Sequence, residues 1–265
     1  TRLQGFLQAQ TQKRCSIGRR GALHTGSLHK LQTGNPRIFR KEAEQAGLNT
    51  AVHILLDVSG SMSGDKIRNL NDAVRDMLNT FSDTENGETE IHVAIITFGA
   101  QVKLHQPLAS ASNVQWQDLS ADGMTPLGTA LQMAKAMIED KETTPSRAYR
   151  PTIVLVSDGE PTDSWQQPLR ALVNDGRSNK CDRMAMAIGG AASNTVLNEF
   201  ISGTENKVFT AQDASQIQEF FKFVTMSVTT RTNSQNANVV PKPEEIEQLV
   251  KQEQNQQQEE SDEFI

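Results

Sequence analysis

Val52-His53-Ile54-Leu55-Leu56-Asp57-Val58-Ser59-Gly60-Ser61-Met62 opens as an apolar run and closes on a carboxylate followed by two hydroxyls. An apolar run of this length without a charge predicts a buried β-strand. Asp57, Ser59 and Ser61 would then stand together at its carboxyl end. Three hard oxygen donors at such a sheet edge suit a small oxygen-seeking cation such as Mg²⁺. Two later segments can complete the set: Gly123-Met124-Thr125-Pro126, and Ser157-Asp158-Gly159, which follows a second apolar strand from Thr152 to Val156.

Outward from these strands the chain alternates strand and helix. Helical spacing of Ile67, Leu70, Val74, Met77, Leu78 and Phe81 predicts a helix over 66–81. A strand is expected over 90–98, with an antiparallel edge at 102–104. Helix over 127–138, strand over 152–158, helix over 166–174 and strand over 183–188 follow. A helix over 194–201, a short strand at 207–209 and a last helix over 214–227 complete the series. Such alternation implies a doubly wound, mostly parallel α/β sheet of Rossmann-like type with helices on both faces. Ligands of these sheets lie beyond the carboxyl ends of the strands, where Asp57 and Asp158 both fall.

Taken singly, Ser59, Ser61 and Thr125 read as capping or turn hydroxyls and Asp158 as a turn former. Taken in order, D-x-S-x-S, then Thr, then Asp-Gly, they resemble the metal-ion-dependent adhesion site (MIDAS) of von Willebrand factor A (VWA) domains. The resemblance covers about residues 50–230. It implies a metal centre built by Asp57, Ser59, Ser61, Thr125 and Asp158, holding Mg²⁺, with Mn²⁺ or Ca²⁺ also acceptable to such oxygen ligands. It further implies an open coordination position that a protein partner fills with an Asp or Glu carboxylate. Asp65, Glu160 and Asp163 are read as solvated surface charges, with support of the metal site as the other reading.

The composition limits the alternatives. Of 265 residues 36% are hydrophobic and 5% aromatic, and the mean hydropathy is −0.50. This predicts a Val/Ile/Leu/Met core with polar ends. No apolar run approaches the ~18 residues of a membrane span, and no signal-peptide pattern opens the chain, so a cytoplasmic location is expected. A chain that begins at Thr1 is expected to be a piece of a longer protein. Cys15 and Cys181 lie in segments of different character, and a reduced pair is expected over a disulfide, with Cys181 in the core. No G-x-S-x-G occurs, because Gly60-Ser61-Met62-Ser63-Gly64 carries Met at the nucleophile position. No G-x-x-x-x-G-K-[ST] loop occurs either. Ser59 has no suitably placed base, so independent catalysis is not expected. His53 and His92, inside predicted strands, read as structural.

The net charge of −6 is unevenly spread. Residues 1–50 carry nine Lys/Arg against Glu42 and Glu44, whereas 233–265 carry Lys242 and Lys251 against eight acids. The organisation expected is a basic N-terminal arm with a short helix (1–50), a VWA-like domain (51–232) and an acidic, polar, mostly disordered tail (233–265). Within that tail Ile246, Leu249 and Val250 are expected to form one amphipathic turn. The arm has one aromatic in each half (Phe6 and Phe39) and no reading motif for nucleic acid, so a docking role is favoured.

Two subfamily likenesses are visible. Gly123 to Leu131, Asp158-Gly159-Glu160-Pro161-Thr162-Asp163-Ser164-Trp165 and Phe220-Phe221-Lys222-Phe223-Val224 resemble TerY-type proteins of bacterial tellurium-resistance and stress operons. Arg2-Leu3-Gln4, Leu7-Gln8-Ala9-Gln10, Gly34-Asn35-Pro36-Arg37-Ile38-Phe39-Arg40 and Asn49-Thr50-Ala51-Val52 resemble the run before the A domain of cobaltochelatase CobT-type subunits. The latter resemblance implies partnership with a MoxR-type AAA+ ATPase and, for a chelatase, metal insertion into a tetrapyrrole. The acidic segment follows the domain here, whereas chelatase subunits carry it before the domain. The expected function is therefore a Mg²⁺-dependent adaptor subunit of a bacterial chaperone-like or stress-response ATPase machine. A cobaltochelatase-type subunit and a self-assembling homo-oligomer are the alternatives.

Overall fold

The computed structural model describes residues 49–85, 90–144, 149–189, 194–234 and 239–263. The basic arm expected over 1–50, and Cys15 within it, lie outside the described residues apart from Asn49 and Thr50. Strand β1 (Thr50–Asp57) is buried at every position. It pairs in parallel with β2 (Ile91–Phe98) on one side and with β4 (Thr152–Ser157) on the other. Strands β5 (Asp182–Ile188) and β6 (Phe209–Ala211) extend the parallel sheet beyond β4. β3 (Val102–Ser110) turns back antiparallel on β2, giving the order β3-β2-β1-β4-β5-β6. The expected antiparallel edge at 102–104 is present and runs six residues further.

Six helices flank the sheet among the described residues: α1 (Asp65–Thr84), α2 (Leu127–Glu139), α3 (Gln166–Asn174), α4 (Asn194–Ile201), α5 (Ala214–Asn233) and α6 (Pro243–Glu263). The two-residue period of a strand sends successive side chains to opposite faces. Val52, Ile54 and Leu56 accordingly meet Leu70, Val74 and Phe81 of α1 and Phe220, Val224 and Val228 of α5. Leu55 joins Ile153 and Leu155 of β4 against α2, α3 and α4. The two covered faces explain why β1 and β4 read as nearly continuous apolar runs rather than as alternating ones. No helix among the described residues is long and apolar enough to cross a membrane.

The amino ends of the strands are closed by buried charge. Arg231, near the end of α5, is 1% exposed and donates to the Thr152 hydroxyl at 3.2 Å and to the Arg150 carbonyl. Its guanidinium lies 4.0 Å from the Asp182 carboxylate. Burial pushes the Asp182 carboxyl up, and the Arg231 charge opposes that rise. The next residue, Thr232, bonds the Thr50 hydroxyl at 2.9 Å. Helix α5 is thus fastened at one end of the sheet, opposite the end that carries Asp57. Cys181 is a buried free thiol, and burial pushes it up to about 12, which leaves it unreactive at neutral pH.

The C-terminal segment is more ordered than its composition suggests. In place of one amphipathic turn in a mostly disordered tail, helix α6 runs to Glu263. Ile246 and Val250 are 1% and 4% exposed, and Leu249 packs beside them against the α1/α5 side of the core. The i, i+3, i+4 spacing sets these three on one face, and two fully buried aliphatics outweigh the polar remainder of the segment. Replacing Ile246 by Ala should lower unfolding stability by about 2–4 kcal/mol. A disordered tail would show no change in denaturant midpoint.

His53 lies inside β1, fully buried, and neither ring nitrogen has a hydrogen-bond partner. Burial lowers its pKa to about 4, so the folded chain holds it neutral. The unfolded chain binds this proton near pH 6.5 and the folded chain only near pH 4, so the stabilisation is complete above 6.5 and lost as pH falls through that window. His53→Leu should remove about 2 kcal/mol of the stability loss between pH 7 and pH 5, read by urea unfolding at both pH values.

Candidate metal centre

The strand order reverses between β1 and β4, and at that point the loops after these strands face each other. Asp57 closes β1 and is fully buried. Its Oδ2 accepts a hydrogen bond from the Ser157 hydroxyl at 2.6 Å, across from the end of β4. Its Oδ1 accepts the Ser59 N–H at 2.9 Å, which folds the chain into a short 3₁₀ turn at Gly60–Met62 before α1. Burial pushes the Asp57 carboxyl up, the bonds from Ser157 and Ser59 pull it down, and the neighbouring Asp158 charge raises it further. A carboxylate in such surroundings favours a nearby cation.

From Asp57 the oxygens continue as a chain. Ser59 Oγ lies 3.0 Å from Ser61 Oγ, and the Ser61 hydroxyl donates to Asp158 Oδ1 at 2.6 Å. Thr125 reaches the same place from the third loop. A Cβ added to Gly159 would lie 3.9 Å from both Ser61 Oγ and Thr125 Oγ1, so the two hydroxyls flank one glycine. Asp57, Ser59, Thr125 and Asp158 are buried, and Ser61 is exposed. All five residues singled out from sequence therefore converge on one site. Among the described residues no three His, Cys, Asp or Glu side chains cluster, so hydroxyls supply most of the donors. Two carboxylates and three hydroxyls fit a hard divalent cation and suit a soft one poorly.

Backbone bonds between the loops hold this geometry. Asp122 N–H donates to Val58 O at 2.7 Å, Ala100 N–H to Asp122 O at 2.8 Å, and Gly60 N–H to Gly123 O at 3.0 Å. Gly123 has φ +81°, and a Cβ there would come within 2.4 Å of the Ala100 backbone nitrogen, so no other residue fits this crossing. Farther back, Asn71 of α1 exchanges two hydrogen bonds with the Leu119 backbone, at 3.0 and 2.8 Å.

Two side chains take roles the sequence reading did not assign. Asp163, read as a surface charge with support of the metal site as the other reading, caps α2: its carboxylate accepts the N–H groups of Gly128 and Thr129 at 2.8 and 2.9 Å and the Thr129 hydroxyl at 3.0 Å. The cap lies 35 residues from Gly128, outside the local window in which capping signals are sought. The Thr162 hydroxyl accepts the Thr125 N–H at 3.1 Å, so the same loop also fixes the Thr125 backbone. Lys66 is the second. Its ammonium donates to Asp158 Oδ2 at 2.6 Å and to the Ser61 carbonyl at 3.2 Å. Asp65 lies on the exposed face, paired with Arg68.

The von Willebrand factor type A domain model matches residues 51–223. Among solved structures, a von Willebrand factor type A protein from Catenulispora acidiphila aligns with a TM-score of 0.54 at 18% identity, over 68% of this chain and 42% of that one. Proximal thread matrix protein 1 of the mussel byssus, in a form with a zinc-occupied MIDAS motif, aligns at 0.51 and 15% identity, over 68% and 48%. The pilus adhesin SpaC from Lactobacillus rhamnosus GG aligns at 0.57 and 13% identity, over 69% and 30%. These likenesses bear on the fold alone, and this chain spans less than half the length of each of the three. No curated protein sequence matches it.

Asp163→Ala should cost about 1–2 kcal/mol in unfolding stability, as the loss of a helix cap does. It should also weaken divalent-ion binding, because the Thr125 loop leads into that helix. Calorimetric titration with Mn²⁺ alongside denaturation checks both effects.

Proposed function

Because the chain belongs to the von Willebrand factor type A domain family, we propose that it is a Mg²⁺-dependent protein-binding adaptor. The oxygen cluster would hold the ion, and a partner's Asp or Glu carboxylate would complete its coordination. The observation that carries this reading is the asymmetry of the cluster. Asp57, Ser59, Thr125 and Asp158 are sunk into the sheet edge while Ser61 is exposed, and Met124, 64% exposed, stands at the rim beside Thr125. An ion held there has its protein ligands behind it and solvent in front. Water at the open face is replaceable by a carboxylate, which makes a charge-assisted contact, and Met124 offers an adaptable apolar neighbour to it.

The partner is proposed to be a MoxR-type AAA+ ATPase acting in the bacterial cytoplasm, on the strength of the TerY-like and CobT-like stretches quoted above. ATP hydrolysis would then belong to the ring, and this chain would couple ring to client. The CobT-like run at 34–40 supports a second reading, a cobaltochelatase-type subunit. Saturable tetrapyrrole binding would distinguish it from the adaptor.

Asp57→Ala removes one of the two carboxylates while sparing the apolar strand. It should abolish partner capture that is Mg²⁺-dependent and EDTA-sensitive, and leave the far-ultraviolet circular dichroism spectrum unchanged. Capture equal to that of the parent chain in a folded Asp57→Ala variant would rule out the metal bridge.

A further inference from the structure

Both oxygens of the Asp158 carboxylate are engaged: Oδ1 by the Ser61 hydroxyl and Oδ2 by the Lys66 ammonium, each at 2.6 Å. The Asp158 side chain is fully buried, whereas that of Lys66 is 38% exposed. One end of this ion pair is therefore fixed and the other can swing. The ammonium also contacts the Ser61 carbonyl, so it lies against two residues of the metal site. We propose that Lys66 is a tethered competitor of the divalent ion, neutralising Asp158 when the site is empty and giving way when the metal binds. This inference rests on the metal reading of the cluster and adds a means of setting its affinity.

The electrostatics argue for it. Two carboxylates, Asp57 and Asp158, lie at neighbouring strand ends, and without a counter-charge they repel across a poorly solvated edge. Lys66 supplies one positive charge from a helix that the fold already places there. A divalent ion supplies two, and an ammonium held beside it repels it. The loaded site is thus better served with Lys66 turned away.

The fold provides a place for the displaced group. A cavity of about 320 Å³ adjoins the site on the side of β5 and β6, and Lys66 lines it together with Asp65, Asn69, Gln212 and Asp213. Gly189 lies on the same wall, where a Cβ would be in ordinary contact, 3.7 Å from Lys66 Nζ. A displaced Lys66 ammonium would have this open, partly polar space to turn into. The Ser61 hydroxyl makes the complementary change, turning its proton away from Asp158 so that its oxygen can face the ion.

The test is titration of the full chain with Mn²⁺, by calorimetry and by electron paramagnetic resonance, for the parent, Lys66→Met, Lys66→Gln and Lys66→Arg. The two neutral variants should bind Mn²⁺ about tenfold more tightly, and Lys66→Arg should bind as the parent does. Without metal the neutral variants should melt below the parent, and with saturating Mn²⁺ the difference should close; a purely structural lysine would lower both melting temperatures alike. Parent-like or weaker Mn²⁺ affinity in both neutral variants would overturn the role of Lys66 while leaving the metal centre standing. Absence of Mn²⁺ binding in the parent and in every variant would overturn both.

Discussion

A buried carboxylate at the end of the central strand has to be answered on every side, and the upper edge of this molecule is arranged around that requirement. Asp57 takes the Ser157 hydroxyl on one oxygen and the Ser59 N–H on the other. The first bond ties β1 to β4 where the strand order reverses, and the second folds the loop that presents Ser59 and Ser61. Backbone bonds and the Ser61–Asp158 contact reinforce the same arrangement. The bonds that satisfy a costly buried charge also place Ser59 and the residue before Asp158, while Thr125 is set by the Thr162 hydroxyl.

The opposite edge meets a similar problem by different means. Arg231 and Asp182 are both almost fully buried, and they rely on each other, on Thr152 and on backbone carbonyls. Arg183 likewise spends its guanidinium on the carbonyls of Phe200, Cys181, Asn179 and Ser202. Removing either member of the Arg231–Asp182 pair would strand a charge in the interior, which is far costlier than the pair's own net worth. One end of the sheet is thus locked by internal pairing, and the other buries its carboxylates behind the exposed Ser61.

Most of this architecture could be read from local pattern. β1 and β4 are mainly apolar because helices cover both faces, and the carboxylates at their ends, Asp57 and Asp158, stand out against those runs. What could not be read depends on contacts between segments far apart in the chain. Asp163 looks like any surface acid until α2 is folded beneath it. Lys66 looks like an ordinary first-turn lysine until β4 brings Asp158 within reach. The polar tail hid α6, because two buried aliphatics among Gln and Glu count for little in composition and for much once α5 offers them a surface.

The two edges of the sheet differ from its centre in a way that bears on how the molecule behaves in a crowd. On one side, β3 has side chains that are all partly or fully exposed, with Lys103 and Pro107 among them and register shifts against β2 opposite Val93, Ile95 and Ile96. On the other, β6 is only three residues long. Charge, proline, irregular pairing and brevity are the devices that prevent one sheet from adding to another. Neighbouring molecules are thereby denied a template for strand-by-strand growth. A protein protected in this way can be held at high local concentration on a multimeric platform without its copies fusing into fibrils.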